Sequence, residues 1–485
     1  MFFCVHSIVT TLIHAMTDPK RLTRYVVFDY VSAFAAWLMF NVFRFYTFKH
    51  TVGFSSLDSF IMQDKGLWMS VLLPLFWVLI YYLSGYYSNP RRKTVLGDLL
   101  NSAFNTLIGV IVLFFLVIID DYPEHPFLYY EIILGFLLIH FAFTALFRLI
   151  QTGKMVVNQS KGLDCIPVLV VGTGLLAKQL KQEFNSHNSS FCYRLEGFVR
   201  VGKVDSQIDS KEILGEMSDF EALLKAHPVE ELIFALDDVQ PNTTVNLLKS
   251  VYKYGLPVKA YANRQDVLAG KVSLFSLFGI PLYSLTPMLM PVWQKNLKAI
   301  LDRIFSVLLL LFCFPLFAYL ALRVRMDSKG PVFYSQKRVG KGGKLFHIYK
   351  FRTMYLGAEP DGPMLSSKED VRITRFGRFM RKYRLDELPQ FWNVLKGDMS
   401  MVGPRPEREH FVTIIVQEAP QYYLSQLVLP GITSWGMVKF GYADTIEKMV
   451  NRLEYDIIYL ENQSLLIDLK ILVFTLKPLL SGKGQ

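Results

Sequence analysis

Apolar and polar positions divide the chain into three regions with different periods. Four long apolar stretches fill the first 150 residues: Tyr25–Phe43, Leu67–Leu83, Leu99–Ile119 and Phe127–Phe147. Each has about the length of a bilayer-crossing helix, roughly 20 residues. The pattern predicts an α-helical N-terminal four-helix transmembrane bundle over residues 1–155. From Ile166 the period changes. "IPVLVVGTGLLAKQL" (Ile166–Leu180) reads as a buried strand, a Gly172-Thr-Gly174 turn and a helix. Strand-like runs recur at Leu195–Val201, Glu230–Leu236 and Pro257–Ala262, with helical patterns between them. Such alternation predicts a parallel, Rossmann-like α/β domain over residues 160–265. Residues 266–293 read as a linker. Residues 294–485 form a third, mostly helical region with dense basic residues.

That region opens on a fifth apolar run, Ile304–Leu322, which hydropathy alone would make a span. Pro315 near its middle removes a helix hydrogen bond. Both flanks are basic: Lys295, Lys298 and Arg303 before it, Arg323 and Arg325 after it. The expectation is a re-entrant membrane helix that dips into the inner leaflet and returns. The competing reading is a proline-kinked spanning helix.

Charge orients the bundle. Lys20, Arg21 and Arg24 precede the first span, Arg91, Arg92 and Lys93 separate the second from the third, and Arg148 and Lys154 follow the fourth. The turn Asp120–Pro126 is acidic. The positive-inside rule then puts both ends of the bundle in the cytoplasm. Arg44, Lys49 and His50 run against that orientation without reversing it. Asp29, Glu131 and His140 fall within or near the ends of the spans, and Asp29 and Glu131 are expected to reach the interface. The whole chain is 52% hydrophobic and 19% charged, which excludes a purely soluble protein. Its formal net charge of +11 suits anionic lipid or phosphorylated small molecules, and the membrane segments argue against nucleic acid. The four scattered cysteines, Cys4, Cys165, Cys192 and Cys313, read as unpaired thiols with no zinc pattern. No cleavable signal peptide is evident in Met1–Met16.

Two segments carry chemistry. Gly330–Met354 reads as a β-hairpin turning at Gly340-Lys-Gly-Gly343. Along its second strand Lys350 and Arg352 share one face, where they could grip a diphosphate or simply meet solvent. Downstream, Thr374 is placed to cap a helix that carries Arg375, Arg378 and Arg381 or Lys382 on one face. Asp386 and Glu387 follow. Adjacent helical residues diverge by roughly 100°, so both can address one ligand only at a helix end, which Pro389 supplies. Alone, the pair would simply cap the next helix. Together with the cations, the Pro404-Arg-Pro406 segment and the dipping helix, it suits Mg²⁺ and a diphosphate at the level of lipid headgroups. In the α/β region, G-x-G-x-x-A is a weak signal. The second strand ends at Arg200, where a dinucleotide binder carries an acid. The residues favour a structural or regulatory module over a dinucleotide site.

"KFRTM", "LDELPQFWNVLKGDMSMVGPRPE" and "PGITSWGMV" closely resemble the bacterial sugar transferases, the polyprenyl-phosphate hexose-1-phosphate transferases. The resemblance covers about Trp293–Leu480. The layout of spans, α/β module and C-terminal transferase also resembles the large members that begin exopolysaccharide, capsule or O-antigen synthesis. The resemblance implies transfer of sugar-1-phosphate from a UDP-sugar to undecaprenyl phosphate with release of UMP, at the cytoplasmic face of the bacterial inner membrane. It makes Asp386 the nucleophile and gives Glu387 a role in holding Mg²⁺ or orienting the incoming groups. It assigns phosphate binding to Arg381 and Arg405, with help from Lys350 and Arg352, and matches Asp456 to an acidic position near the C-terminal helix. One departure is Phe314 before Pro315, where small members often carry Ser.

Two other readings stay open on the residues. A nucleotide-sugar dehydratase or oxidoreductase would use the α/β domain, but its Tyr-x-x-x-Lys pair is missing. A non-catalytic scaffold of polysaccharide export would not need the intact Asp386-Glu387 pair. The sugar is not legible, with glucose or galactose expected from the layout alone. A homodimer is the working expectation for assembly.

Overall fold

The computed structural model describes residues 19–48, 64–88, 90–118, 127–186, 193–202, 206–237, 241–263, 266, 280–287, 289–359, 362–365, 370–441 and 443–481. The acidic turn Asp120–Pro126, Lys49, His50, Cys4 and Cys192 lie outside these residues, as does much of the expected linker. The chain divides into two compact units. One comprises Leu12–Ala235 with Tyr261–Tyr283, the other Leu236–Ala260 with Ser284–Gln485.

The first unit begins with four helices, Pro19–Phe48, Asp64–Leu83, Val95–Leu113 and Phe127–Ser160. Three segments, Arg21–Thr47, Val95–Leu116 and Phe127–Ser160, are long and apolar enough to cross a bilayer, while Trp68–Leu83 is apolar but shorter. An aromatic core of Trp37, Phe40, Trp77, Tyr81 and Phe136 joins these helices. Leu72, Leu75, Phe104 and Leu138 point outward and are exposed, as an apolar solvent requires.

Asp29 does not reach an interface, contrary to expectation. It is 1% exposed, and its carboxylate accepts from Arg148 Nε at 3.1 Å and Nη2 at 3.3 Å. Arg148, read from the sequence as a flank charge, lies inside Phe127–Ser160 and is equally buried. Its guanidinium lies over the rings of Tyr81 and Tyr86, and Nη1 donates to Ser102 Oγ at 2.9 Å. A hydropathy window stops at a charge and cannot see that a distant acid neutralises it. Glu131 is exposed, as expected. His140 is buried, stacked on Trp77 and hydrogen-bonded to the Tyr81 hydroxyl at 2.8 Å.

Three of the remaining flank cations meet acids of the α/β module. Arg21 pairs with Asp164 at 2.6 Å, Arg91 with Glu230 and Arg92 with Glu231. These pairs put residue 21 and residues 91–92 at the same end of the bundle, as the charge pattern requires.

β1 (Ile166–Val171), β2 (Tyr193–Arg200), β3 (Ile213–Glu216) and β4 (Glu231–Phe234) follow in this unit. β1 pairs in parallel with β2 and β4, and β2 with β3. With β5 (Val258–Tyr261) and β6 (Leu282–Ser284), the sheet order is β3-β2-β1-β4-β5-β6. The four expected strands are present. β3 and β6 escaped the pattern: β3 is a four-residue strand with a glycine and no buried position, and β6 has only three residues. Cys165 is disulfide-bonded, so the expectation of four unpaired thiols fails there. Cys313 is free.

The second unit carries the fifth apolar run as two helices, Val292–Phe312 and Phe314–Asp327, bent by 64°. The break falls at Cys313, and Pro315 occupies the first turn of the second helix, where its missing N–H costs nothing. β7 (Phe333–Val339) and β8 (Leu345–Phe351) form the expected antiparallel hairpin. Helices Arg375–Lys382 and Gln390–Lys396 follow, then two short parallel strands, β9 (Ser400–Val402) and β10 (Gly431–Thr433), separated by helix Glu409–Glu418. Short helix Trp435–Lys439 and longer helices Ile446–Glu461 and Leu465–Ser481 complete the unit.

Candidate active site

Local chain geometry delivers the acidic pair. Thr374 caps helix Arg375–Lys382 as expected, its hydroxyl accepting from Gly377 N at 3.0 Å. A Cβ on Gly377 would lie 2.2 Å from the Thr353 carbonyl oxygen, so glycine is required for this helix to approach β8's end. Arg384 then adopts a left-handed conformation, φ 55°, and redirects the chain into a single turn, Leu385–Glu387. Pro389 starts the next helix. Both carboxylates are thereby buried, each 7% exposed, at the wall of a cleft of about 430 Å³.

Four segments converge on that cleft. β8 contributes Lys350, whose Nζ donates to Glu387 Oε1 at 2.6 Å. Buried Asn393 fixes the strand by accepting from Tyr349 N at 3.1 Å and donating to the His347 carbonyl at 2.7 Å. Helix Arg375–Lys382 contributes Arg381, whose Nε donates to Thr353 Oγ1 at 2.9 Å. The Pro404-Arg-Pro406 segment contributes Arg405, 3.4 Å from Glu387 Oε1. Arg384 itself stands 3.6 Å from Glu387 Oε2. The "PGIT" strand explains the position of Arg405: Gly431 N donates to the Pro404 carbonyl at 2.9 Å, and Gly403 N to the Thr433 carbonyl at 3.0 Å. A Cβ on Gly431 would fall 2.1 Å from Gly403 N, so the two backbones meet only as glycines.

Eight lysines and arginines but only four acids line the cleft, so it attracts anions. The two acids of the pair differ. Burial pushes Glu387 up, but Lys350, Arg405 and Arg384 together hold its carboxyl well below the usual range. Burial raises Asp386, Glu387 adds to the rise, and Lys350, Arg381 and Arg384 offset it only in part. Among the described residues no hydrogen bond or ion pair engages the Asp386 carboxylate. It is a buried carboxylate facing a cationic cleft.

Lys350, Arg381, Arg405, Asp386 and Glu387 are brought together as the sequence anticipates. Arg352 also lines the cleft, but its guanidinium donates to the Ser328 carbonyl at 2.6 Å and the Lys329 carbonyl at 2.9 Å. It ties the hairpin to the end of the bent helix pair. Asp456 does not line the cleft: its Oδ1 accepts from Gly436 N at 3.0 Å. Burial pushes Asp456 up, with Arg452, Gly436 N and Ser434 opposing. Arg375 and Arg378 are exposed. Sequence reasoning gave no role to Arg384, to Asn393, or to Glu407, which pairs with Arg338 and Arg452 at the cleft wall. Asn393 and Glu407 had a signal, since both lie in the "LDELPQFWNVLKGDMSMVGPRPE" string.

The donor set fits a hard cation only in part. Among the described residues no cluster of three metal-ligating side chains occurs. Mg²⁺ characteristically takes one or two carboxylates and completes its shell with water and substrate phosphates. The unengaged Asp386 oxygens and the adjacent Glu387 meet that requirement.

A membrane-helix-bearing chain with an acid pair in a cationic cleft defines a class of enzyme that handles phosphorylated substrates at a bilayer. Residues 293–482 match the family described as Bacterial sugar transferase. The UDP-N-acetylgalactosamine-undecaprenyl-phosphate N-acetylgalactosaminephosphotransferase of Aeromonas hydrophila is 39% identical over 47% of this chain and 53% of its own. The UDP-glucose:undecaprenyl-phosphate glucose-1-phosphate transferase of Xanthomonas campestris pv. campestris is 32% identical over 67% of this chain and 69% of its own. The enzyme of the same name from Escherichia coli (strain K12) is 37% identical over 41% and 43%. The chain belongs to the bacterial sugar transferase family. The matches span about half the length of the Aeromonas protein and about two thirds of the Xanthomonas protein.

Proposed function

We propose that this chain moves a sugar-1-phosphate from a UDP-sugar to undecaprenyl phosphate, releasing UMP. The observation that carries this reading is the Asp386 carboxylate, buried and unengaged beside a Glu387 that three cations hold in place. An Asp386 oxygen attacks the β-phosphorus, the bond from that phosphorus to the bridging oxygen breaks, and UMP leaves with the electron pair. An oxygen of undecaprenyl phosphate then attacks the same phosphorus and frees the Asp386 carboxylate. Arg381, Arg384 and Arg405 would neutralise the phosphate oxygens as charge develops. Lys350 and Arg405 keep Glu387 ionised and oriented. Asp386 and Glu387 would hold Mg²⁺, which supplies further charge neutralisation on the diphosphate. The relatives' names support undecaprenyl phosphate as acceptor, and they differ in sugar between glucose and N-acetylgalactosamine. This reading places the bundle in the inner membrane as four spans, with the bent pair entering and leaving by the cytoplasmic face.

The test is UMP release by the full-length protein in nanodiscs containing undecaprenyl phosphate, across a panel of UDP-hexoses and UDP-N-acetylhexosamines. One donor is expected to turn over. Asp386→Asn should lose at least about 10³-fold in kcat, as loss of a nucleophile does, and should retain no labelled phosphosugar after acid quench. Full turnover by Asp386→Asn would end the nucleophile assignment.

A further inference from the structure

The α/β module has a second site that the transferase reading does not use. β1 leads through Gly172-Thr-Gly174 into helix Leu175–Ser186, and Gly172 holds φ at 128°, a conformation open to glycine. β1 lies between β2 and β4, so the strand order reverses there. Ligands of such sheets sit beyond the carboxyl ends of the strands at that reversal. The helix runs for 12 residues with no acid in its first turn, so its free amides favour an anion.

Independent of the helix, two donors at this corner lack partners. Thr173 is 2% exposed, and its hydroxyl is buried without a hydrogen bond. Arg200 Nε is likewise buried and unpaired. The two are close in the sheet. Val171 pairs with Val199, and Gly172 N donates to the Val199 carbonyl at 2.9 Å, so Arg200 stands opposite the first glycine of the loop. Buried donors are almost always satisfied, so an acceptor is missing from this corner. Where a sheet of this kind holds an unsubstituted ribose, the residue at the end of the second strand is an acid. Here that position carries a guanidinium, which would repel nothing from a phosphate and fits its oxygens.

We propose that the Gly172–Gly174 loop and Arg200 bind a nucleotide whose ribose carries, besides its 5′ phosphate, a second phosphate on the 2′ or 3′ oxygen. The 5′ phosphate meets the loop amides and the Thr173 hydroxyl, and the second phosphate meets Arg200. A UDP-sugar carries no phosphate on the 2′ or 3′ oxygen of its ribose, so the ligand of this site differs from the proposed donor.

Isothermal titration calorimetry on the full-length protein in nanodiscs tests this, with adenosine 2′,5′-bisphosphate and adenosine 3′,5′-bisphosphate as probes against 5′-AMP. At least one bisphosphate should bind saturably and about tenfold or more tighter than 5′-AMP. Arg200→Ala should remove that preference and leave 5′-AMP binding unchanged. Thr173→Val, close to isosteric, should weaken all three several-fold. Neither residue lines the transferase cleft, so UMP release and the unfolding midpoint should stay at wild-type levels, which separates loss of the site from loss of the fold. No binding of either bisphosphate at millimolar concentration, or equal affinity for 5′-AMP, overturns the proposal, as does an Arg200→Ala variant that keeps the preference.

Discussion

At the scale of single residues, neighbouring acids with opposite electrostatics make a pH signature. Asp386 is raised, chiefly by burial, and the proposed mechanism needs it ionised, so activity should fall on acidification at a pH above the ordinary Asp value of about 3.9. Lys350 lowers both carboxyls. Lys350→Met should therefore move the acid limb of kcat/KM to higher pH, besides lowering its plateau. A limb that stays in place would show that Lys350 is not coupled to the pair. The stability signs are opposite for the two acids. Glu387, depressed in the fold, contributes stability above its unfolded value that is lost as pH falls through its folded one. Asp386, raised in the fold, contributes stability below its unfolded value that is lost as pH rises through its folded one. At neutral pH Asp386→Asn should thus stabilise the protein by about 1 kcal/mol while abolishing turnover, read as a higher unfolding midpoint in detergent. Arg384 adds a backbone cost. A non-glycine residue in the left-handed region costs about 1–2 kcal/mol, so Arg384→Gly should unfold later than Arg384→Ala although both lose activity. The sequence named the acids and most of the cations because their motifs are contiguous. It was silent on Arg384 because a left-handed arginine looks like any other, and on the role of Asn393 because its work is done across 44 and 46 residues.

At the scale of elements, short pieces of backbone position the chemistry. The "PGIT" string reads as an ordinary turn and strand, and its use emerges only where β10 meets β9 and pins the segment that carries Arg405. Gly431→Ala should push Pro404–Pro406 outward and cost at least about tenfold in kcat/KM, with the α/β module and bundle intact by limited proteolysis. Unchanged kcat/KM would show that the contact does not position Arg405. In the bundle the corresponding device is Asp29–Arg148. Replacing one partner leaves an uncompensated buried charge and should cost about 3–5 kcal/mol. Asp29→Leu is therefore expected to lower the detergent unfolding midpoint sharply, and Asp29→Leu with Arg148→Met to recover most of the loss. An additive double variant would mean that the pair is not the coupling. Hydropathy made the spans legible, and the same averaging hid this pair. Buried β1 and β4 were legible as continuous apolar runs, whereas β6, three residues and none of them buried, gave no such signal.

At the scale of the whole molecule, the proposed reaction requires a catalytic unit that meets a soluble donor and a lipid acceptor from one side of the bilayer, and the bent pair decides whether it does. The apolar run divides at Cys313 into Ile304–Phe312 and Phe314–Leu322. Each limb is nine residues, roughly 13 Å of helix. Straight, the two would reach roughly 27 Å, close to the 30 Å hydrocarbon core of a bilayer, but bent by 64° their ends stand only roughly 23 Å apart along any direction. The outer faces of both limbs are apolar, with Phe305, Leu311, Phe312, Phe314 and Leu322 more than half exposed, so on the proposed reading the pair is immersed and its apolar run stops short of a crossing. On that reading the basic residues at both ends keep those ends at one headgroup layer. The expectation is tested with single cysteines at two exposed positions beyond the limbs, Trp293→Cys and Met326→Cys, in a background without native cysteines. In sealed inverted vesicles a membrane-impermeant maleimide should label both from outside, the face that was cytoplasmic, and in intact spheroplasts it should label neither. Labelling of the two from opposite sides would make the pair a crossing and carry the acid pair of Asp386 and Glu387 to the face where no cytoplasmic donor can reach it.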